Sequence, residues 1–208
     1  MIKDITKLSK EELLEWLRFE AGVNHNSWFG EGLKQGGIEL QQVPEEYVEL
    51  LWLLKNMNAK TYLNVGVGKG GSFMTETYIQ ESLERSVAVD NSSYWAKEQT
   101  SSIIEKLEWL NDKVDAQLEF NDSDSVEFLK KCEDKFDAIF IDGDHSYEGV
   151  KRDYEHALPL LEEGGIIIFH DINSSGCPGV VKLWNEIKNE RCIEFVNSTT
   201  CGIGVYKK

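Results

Sequence analysis

Cysteine and proline are both scarce in this chain of 208 residues, four and three respectively. Cys132, Cys177, Cys192 and Cys201 form no CxxC pair and no zinc-finger spacing. That excludes a disulfide-stapled or zinc-ribbon scaffold and leaves free thiols in a reducing, cytoplasmic setting as the expectation. Basic residues are short as well: 22 Lys and Arg stand against 37 Asp and Glu, a net charge of −15 spread over both halves of the chain. Without a basic face, a nucleic acid is excluded as the main partner, and an anionic membrane surface is excluded for the same reason. No run approaches 18 consecutive apolar residues, so no segment spans a bilayer. The opening stretch MIKDITKLSKEELLEW carries charges every few residues and lacks the apolar core of a secretory signal.

What is present suits one α/β domain. The chain is 41% hydrophobic and 28% charged, enough to bury a core. Ser9 and Glu12 form a capping box ahead of Leu13, Leu14, Trp16 and Leu17, which predicts a helix ending by Gly22. Residues 22–43 hold five glycines and are expected to be a loop. Pro44 followed by Glu45 and Glu46 then opens a second helix to about Met57. From residue 60 the rhythm changes. Strand-like runs at 61–65, 86–89, 116–120, 136–141, 165–169, 193–196 and 202–206 alternate with helical stretches, notably 93–110, 147–161 and 179–189. This predicts a doubly wound, mostly parallel, seven-stranded Rossmann-like sheet. Five residues between the last two strands cannot hold a helical crossover, so a C-terminal antiparallel hairpin is expected. The organisation is an N-terminal helical cap, 1–58, on a core at 59–208, in one compact unit.

The first strand runs into Gly66-Val67-Gly68-Lys69-Gly70-Gly71-Ser72, with a helix behind it. Glycines let the backbone adopt positive φ and approach a ligand, and the helix N-terminus offers free N–H groups. Asp90 ends the next strand, twenty residues after Gly70, where a carboxylate can hold a ribose diol. Loop and acid together predict an adenosine-containing cofactor. Gly66, Gly68 and Gly71 fit the GxGxxG dinucleotide fingerprint, while Gly66, Gly68 and Gly70 fit the GxGxG loop of nucleoside-sulfonium binders. A Walker A loop is excluded, because Lys69 is followed by glycine.

Three further strands end in acidic residues: Asn121-Asp122-Ser123-Asp124, Asp142-Gly143-Asp144-His145 and His170-Asp171. In such a sheet these ends line one crevice. Helix capping accounts for Asp124 and for Ser146 ahead of Tyr147. Asp142, Asp144 and Asp171 together are harder to explain as caps, since neighbouring carboxylates repel unless a proton or cation is shared.

With Gly66–Ser72, Asp90 and above all FIDGDHSYEGVKRDYEHALPLLEEGGIIIFHDI at 140–172, residues 60–208 resemble the class I S-adenosylmethionine-dependent methyltransferases. They are most similar to the small O-methyltransferases of the macrocin and cephalosporin-tailoring type. GVVKLWNEIK and the terminal CGIGVYKK are similar to that family's closing helix and strand. The resemblance implies that Gly66, Gly68 and Gly70, with Ser72 and Asp142, hold the cofactor, that Asp90 takes the ribose, and that Asp122 and Ser123 contact adenine. It implies a residue near Asp144 or His145 as catalytic base. It also implies a divalent cation, Mg²⁺ in some relatives, on Asp142, His170 and Asp171. His170 stands where those relatives have an acid, which puts Mg²⁺ in doubt. Asn64 stands where the family commonly has an acid before the loop.

The expected activity is methyl transfer to a hydroxyl on a small molecule, glycosylated ones included. Asn24, His25, Trp28 and Phe29 form a candidate lid, and the apolar residues of 13–54 could make either a cap or a homo-oligomer interface. Three alternatives remain. One is a binding module that has lost catalysis. Another is an NAD(P)-dependent oxidoreductase, for which Tyr147 and Lys151 mimic a YxxxK pair inside a predicted helix. The third is a glycosyltransferase using Asp142-Gly143-Asp144 as its DxD, which would leave the glycine loop and Asp90 without a role.

Overall fold

The computed structural model describes residues 4–21, 38, 40–91, 97–197 and 201–207. The proposed lid residues Asn24, His25, Trp28 and Phe29 lie outside them. Two helices open the chain: α1 (Lys10–Phe19), with the Ser9–Glu12 capping box formed in both directions, and α2 (Pro44–Asn56), with Pro44 in its first turn. There follow β1 (Thr61–Val65), α3 (Gly71–Ile79), β2 (Arg85–Asp90), α4 (Lys97–Asn111), β3 (Gln117–Asp122), α5 (Ser125–Lys131), β4 (Phe136–Ile141), α6 (Tyr147–Ala157), β5 (Leu161–His170), α7 (Pro178–Ile187), β6 (Ile193–Phe195) and β7 (Ile203–Lys207).

The seven strands form one sheet in the order β3-β2-β1-β4-β5-β7-β6. β1 pairs in parallel with β2 and β4, β2 with β3, and β4 with β5, whereas β7 is antiparallel to both neighbours. The expected terminal hairpin is therefore present, with β7 inserted between β6 and β5. The strand order reverses between β1 and β4, which opens the crevice where such sheets bind ligands.

Strand alternation divides the core between the two faces. Tyr62, Ala138, Phe140, Ile166 and Ile168 join α1–α4 through Leu13, Leu17, Leu50, Leu51, Phe73 and Ile103. Leu63, Ile139, Ile141, Ile167 and Phe169 join α5–α7 through Leu129, Val150, Leu183 and Trp184. The unbroken apolar run of β5 is thus explained by cover on both sides. The N-terminal helices share the first cluster with the sheet, and α2 packs on α3, β6 and β7. The helical expectation at 147–161 stops at Ala157; Pro159 tightens the next turn into 3₁₀ geometry and β5 begins four residues early. No described helix is long and apolar enough to cross a membrane.

Candidate functional site

A cleft of about 680 Å³ lies at the carboxyl ends of the parallel strands, over the β1/β4 switch point. Its first wall is the glycine loop. Gly66, Gly68 and Gly70 all have positive φ, at 85°, 53° and 83°. At Gly66 a Cβ would stand 2.4 Å from the Asp142 carbonyl oxygen, so this glycine lets the ends of β1 and β4 close against each other. Asp142 N–H accordingly donates to the Val65 carbonyl at 2.8 Å. Gly70 is the N-cap of α3 and supplies no side-chain cap, so first-turn N–H groups face the cleft beside Gly71 and Ser72. Ser72 is held from the N-terminal region: Tyr47 Oη donates to its carbonyl, and Gln42 Nε2 reaches its hydroxyl at 3.4 Å.

The second wall is the end of β2. Gly68 N–H donates to Asp90 Oδ2 at 2.7 Å, so the carboxylate ties the glycine loop to the strand end. Burial raises the Asp90 pKa, against the pull of N–H donors from Gly68, Asn91 and Val67. Ser123 borders the cleft and its N–H donates to the Asp90 carbonyl. Asp122, paired with it in the sequence reading, ends β3 and is exposed; it is not among the described residues lining the cleft. Asp124 lines the rim but caps α5 through Glu127 N–H, as its sequence position predicts.

The floor is a cluster of imidazoles and carboxylates. His145 Nε2 lies 3.1 Å from Asp142 Oδ1 and 3.7 Å from Asp171 Oδ2. His170 Nδ1 lies 3.4 Å from Asp142 Oδ1 and 3.6 Å from Asp171 Oδ2. Burial would raise Asp142, but His170 and His145 outweigh it and hold this carboxyl below its usual range. The hydrogen bond to Asp142 raises His145 against burial. For His170 burial opposes protonation, yet Asp142 and Asp171 drive the net shift upward. Asp171 has φ +62°, an unusual conformation for a residue with a Cβ, and it turns the chain out of β5 at the cleft floor. Asp144 is engaged differently: its Oδ1 accepts Ser146 N–H at 2.8 Å, and its carboxyl sits where a Cβ on Gly149 would fall, packed against the start of α6.

Some residues of the site carried no sequence signal. Cys177 Sγ lies 3.2 Å from Asp171 Oδ2 and 3.4 Å from His145 Nδ1. Burial and the Asp171 carboxylate push this thiol up to about 12. Cys201 groups with His170 and Asp171. The position of Cys177 just before Pro178, at the start of a helix, was the one available hint. Beneath the loop, Asn64 Nδ2 donates to Glu76 Oε2 at 2.8 Å, and Tyr62 and Tyr47 donate to the same carboxylate. Asn64 is thus paired with an acid of α3.

The floor does not fit Mg²⁺. That ion demands near-octahedral oxygen donors, whereas two of the four facing atoms are imidazole nitrogens and two thiols stand alongside.

Residues 63–172 match the family described as "Methyltransferase domain". A protein of Arabidopsis thaliana assigned to the caffeoyl-CoA O-methyltransferases is 33% identical over 142 residues, which span 65% of this chain and 57% of that protein. The chain thus matches little more than half the length of that curated relative. Among solved structures, an O-methyltransferase of Bacillus cereus in complex with SAH superposes with TM-score 0.60 at 20% identity, over 100% of this chain and 93% of that one. An rRNA methylase of Streptococcus thermophilus gives TM-score 0.61 at 12% identity, over 80% and 98%. These structural likenesses carry the fold and leave the acceptor open.

Proposed function

The chain belongs to the methyltransferase domain family, and from that premise we propose that it transfers a methyl group from S-adenosylmethionine to a hydroxyl oxygen of a small molecule. The observation that carries this reading is the hydrogen bond from Gly68 N–H to Asp90 at the mouth of an uncapped helix N-terminus. One wall thereby offers a carboxylate for a ribose diol and free N–H groups for a carboxylate, the two ends of such a cofactor. Gly66, Gly68, Gly70 and Ser72 would hold its amino-acid portion, Asp90 its ribose, and Ser123 its base. When bound, the cofactor supplies an electrophilic methyl on sulfur.

The protein's task is then to position a hydroxyl and take its proton. His145 suits the second role. It borders the cleft with its side chain 41% exposed, and Asp142 stabilises the imidazolium. Asp144, committed to the Ser146 turn and Gly149, holds the loop that carries His145. His145→Ala is expected to lower kcat about 10²-fold or more, with the loss smallest at high pH where the acceptor ionises unaided. A pH-independent loss would reject the base assignment.

Cofactor identity is tested by thermal shift. S-adenosylhomocysteine should raise the melting temperature and NAD(P) should not; Asp90→Ala should remove the shift. A response to NAD(P) alone would favour the oxidoreductase. Binding without methylation of any hydroxylated acceptor would favour a non-catalytic module. The Arabidopsis relative is named for a coenzyme A thioester. Here the described cleft residues include Asp90, Asp124, Asp142, Asp144 and Asp171 against one lysine, Lys69, and two histidines, His145 and His170, that sit on Asp142 and Asp171. That wall favours a neutral or cationic acceptor, free of phosphate groups and distinct from nucleic acid. A free hydroxylated acid amide should therefore show a higher kcat/KM than the corresponding coenzyme A ester.

A further inference from the structure

We propose that Gln42 accepts a hydrogen bond from the α-ammonium group of the bound cofactor, and so reads the amino-acid end of that ligand. Gln42 is 1% exposed, yet it borders the cleft beside Gly71 and Ser72. Its Nε2 donates to the Ser72 hydroxyl at 3.4 Å, while its Oε1 has no hydrogen-bond partner among the described residues. A buried carbonyl oxygen left without a donor is costly, and this one belongs to the wall of a cavity. A ligand that carries N–H groups into that corner removes the cost.

The segment that bears Gln42 is pinned on both sides. Leu40, 2% exposed, belongs to the core cluster that the N-terminal helices share with the sheet. Val43 is the N-cap of α2, and Tyr47, one turn on, donates to the Ser72 carbonyl at 3.3 Å and to Glu76 at 3.1 Å. The amide is therefore held against the first turn of α3, and little side-chain freedom is lost when a ligand meets it. Gln42 precedes residues 63–172, the stretch that matches the family. The contact is thus a contribution of the N-terminal segment to a site built otherwise from the sheet.

The class of group follows from the neighbours and rests on the cofactor reading above. The uncapped N-terminus of α3 favours the cofactor's carboxylate. The α-ammonium is bonded to the carbon that bears that carboxylate, so both groups arrive in the same corner. An ammonium brings N–H donors and no acceptor, which complements an orphaned carbonyl oxygen. Asn64 does not serve in its place. Its amide nitrogen donates to Glu76 beneath the loop, and it is not among the described residues that line the cleft.

The test compares two ligands by calorimetry: S-adenosylhomocysteine, and its analogue with hydrogen in place of the α-amino group. Wild type should bind the first at least about tenfold more tightly. Gln42→Leu keeps most of the bulk and removes both polar atoms; the preference should fall to about twofold or less. A role confined to packing would lower both affinities alike and leave the preference standing. Gln42→Glu keeps an acceptor and should keep the preference, which separates the contact from any loss of folding in the leucine variant. An unchanged preference in Gln42→Leu, or its disappearance in Gln42→Glu as well, would overturn the contact and leave Gln42 as a tie to Ser72. Equal binding of the two ligands by wild type would overturn it too. A wild type that binds neither would overturn the cofactor reading itself, and the contact with it.

Discussion

At the scale of single residues, Glu76 shows how a side chain without a chemical motif can govern behaviour near neutral pH. Burial drives its pKa up to about 7, despite hydrogen bonds from Tyr62, Tyr47 and Asn64 that favour the anion; Asp142 adds to the rise. Its pKa in the unfolded chain is near the ordinary 4.5. The folded state therefore holds its proton more tightly, and stability falls as pH rises from about 4.5 to 7. The loss attributable to this group is on the order of 3 kcal/mol above pH 7. Urea denaturation across that range should show the decline in wild type and a flatter profile in Glu76→Gln; parallel profiles would mean Glu76 is ionised throughout. Glycines give a second contrast. Gly66→Ala meets the Asp142 backbone at 2.4 Å from a positive φ, whereas a Cβ at Gly164, also at positive φ, meets nothing within 4 Å. The Gly164→Ala change should cost only the left-handed backbone penalty, about 1–2 kcal/mol. Gly66→Ala should cost clearly more, and equal denaturation midpoints would refute the close approach. Gly66 was visible in the sequence as part of a ligand loop; that its hydrogen faces its own β4 was not, because the contact joins residues 66 and 142.

At the scale of elements, the βα rhythm from residue 60 onward was readable because it depends on local pattern: apolar runs, strand-ending acids, Pro44 and the Ser9 and Ser146 caps all act within a few residues. The place of β7 between β5 and β6 was not readable, since it depends on contacts distant along the chain. Glu46 shows the same limit. Its position in the first turn of α2 marks it as a helix-dipole partner. In the structure its carboxylate also accepts the N–H groups of Asn197 and Gly202 at 2.8 Å each, which clamps the β6–β7 connection to α2. Glu46 is 1% exposed, so truncation leaves amide donors unpaired in the interior. Glu46→Ala is expected to destabilise by about 2–4 kcal/mol. Hydrogen exchange at Gly202 should accelerate beyond what that global loss explains, because the clamp acts on the hairpin directly. Uniform acceleration across all strands would assign Glu46 to bulk stability alone. Cys177 and Cys201 illustrate the same point at the site: each is a scattered thiol in the sequence, and only the β5 end and the hairpin bring them beside His145, His170 and Asp171.

At the scale of the whole molecule, the charge of −15 has two addresses. Some of it is concentrated at the cleft, in Asp90, Asp142 and Asp171, where hydrogen bonds and imidazoles offset it. Most is spread over the surface, where ion pairs such as Arg85 with Glu119 and Asp134, or Lys10 with Glu49, neutralise part of it. Exposed pairs of this kind contribute little each, and the unpaired excess of acids repels itself in the compact state. The two terms respond to salt in opposite senses. Screening weakens attraction within pairs and lowers stability, yet it also weakens long-range repulsion and raises it. Repulsion should prevail, because acids outnumber bases by fifteen and the excess runs through the whole chain. The melting temperature should therefore rise by about 2–4 °C between low salt and roughly 0.3 M sodium chloride, the equivalent of about 1 kcal/mol for a chain of this size. A fall over that range would show that local ion pairs outweigh the net charge.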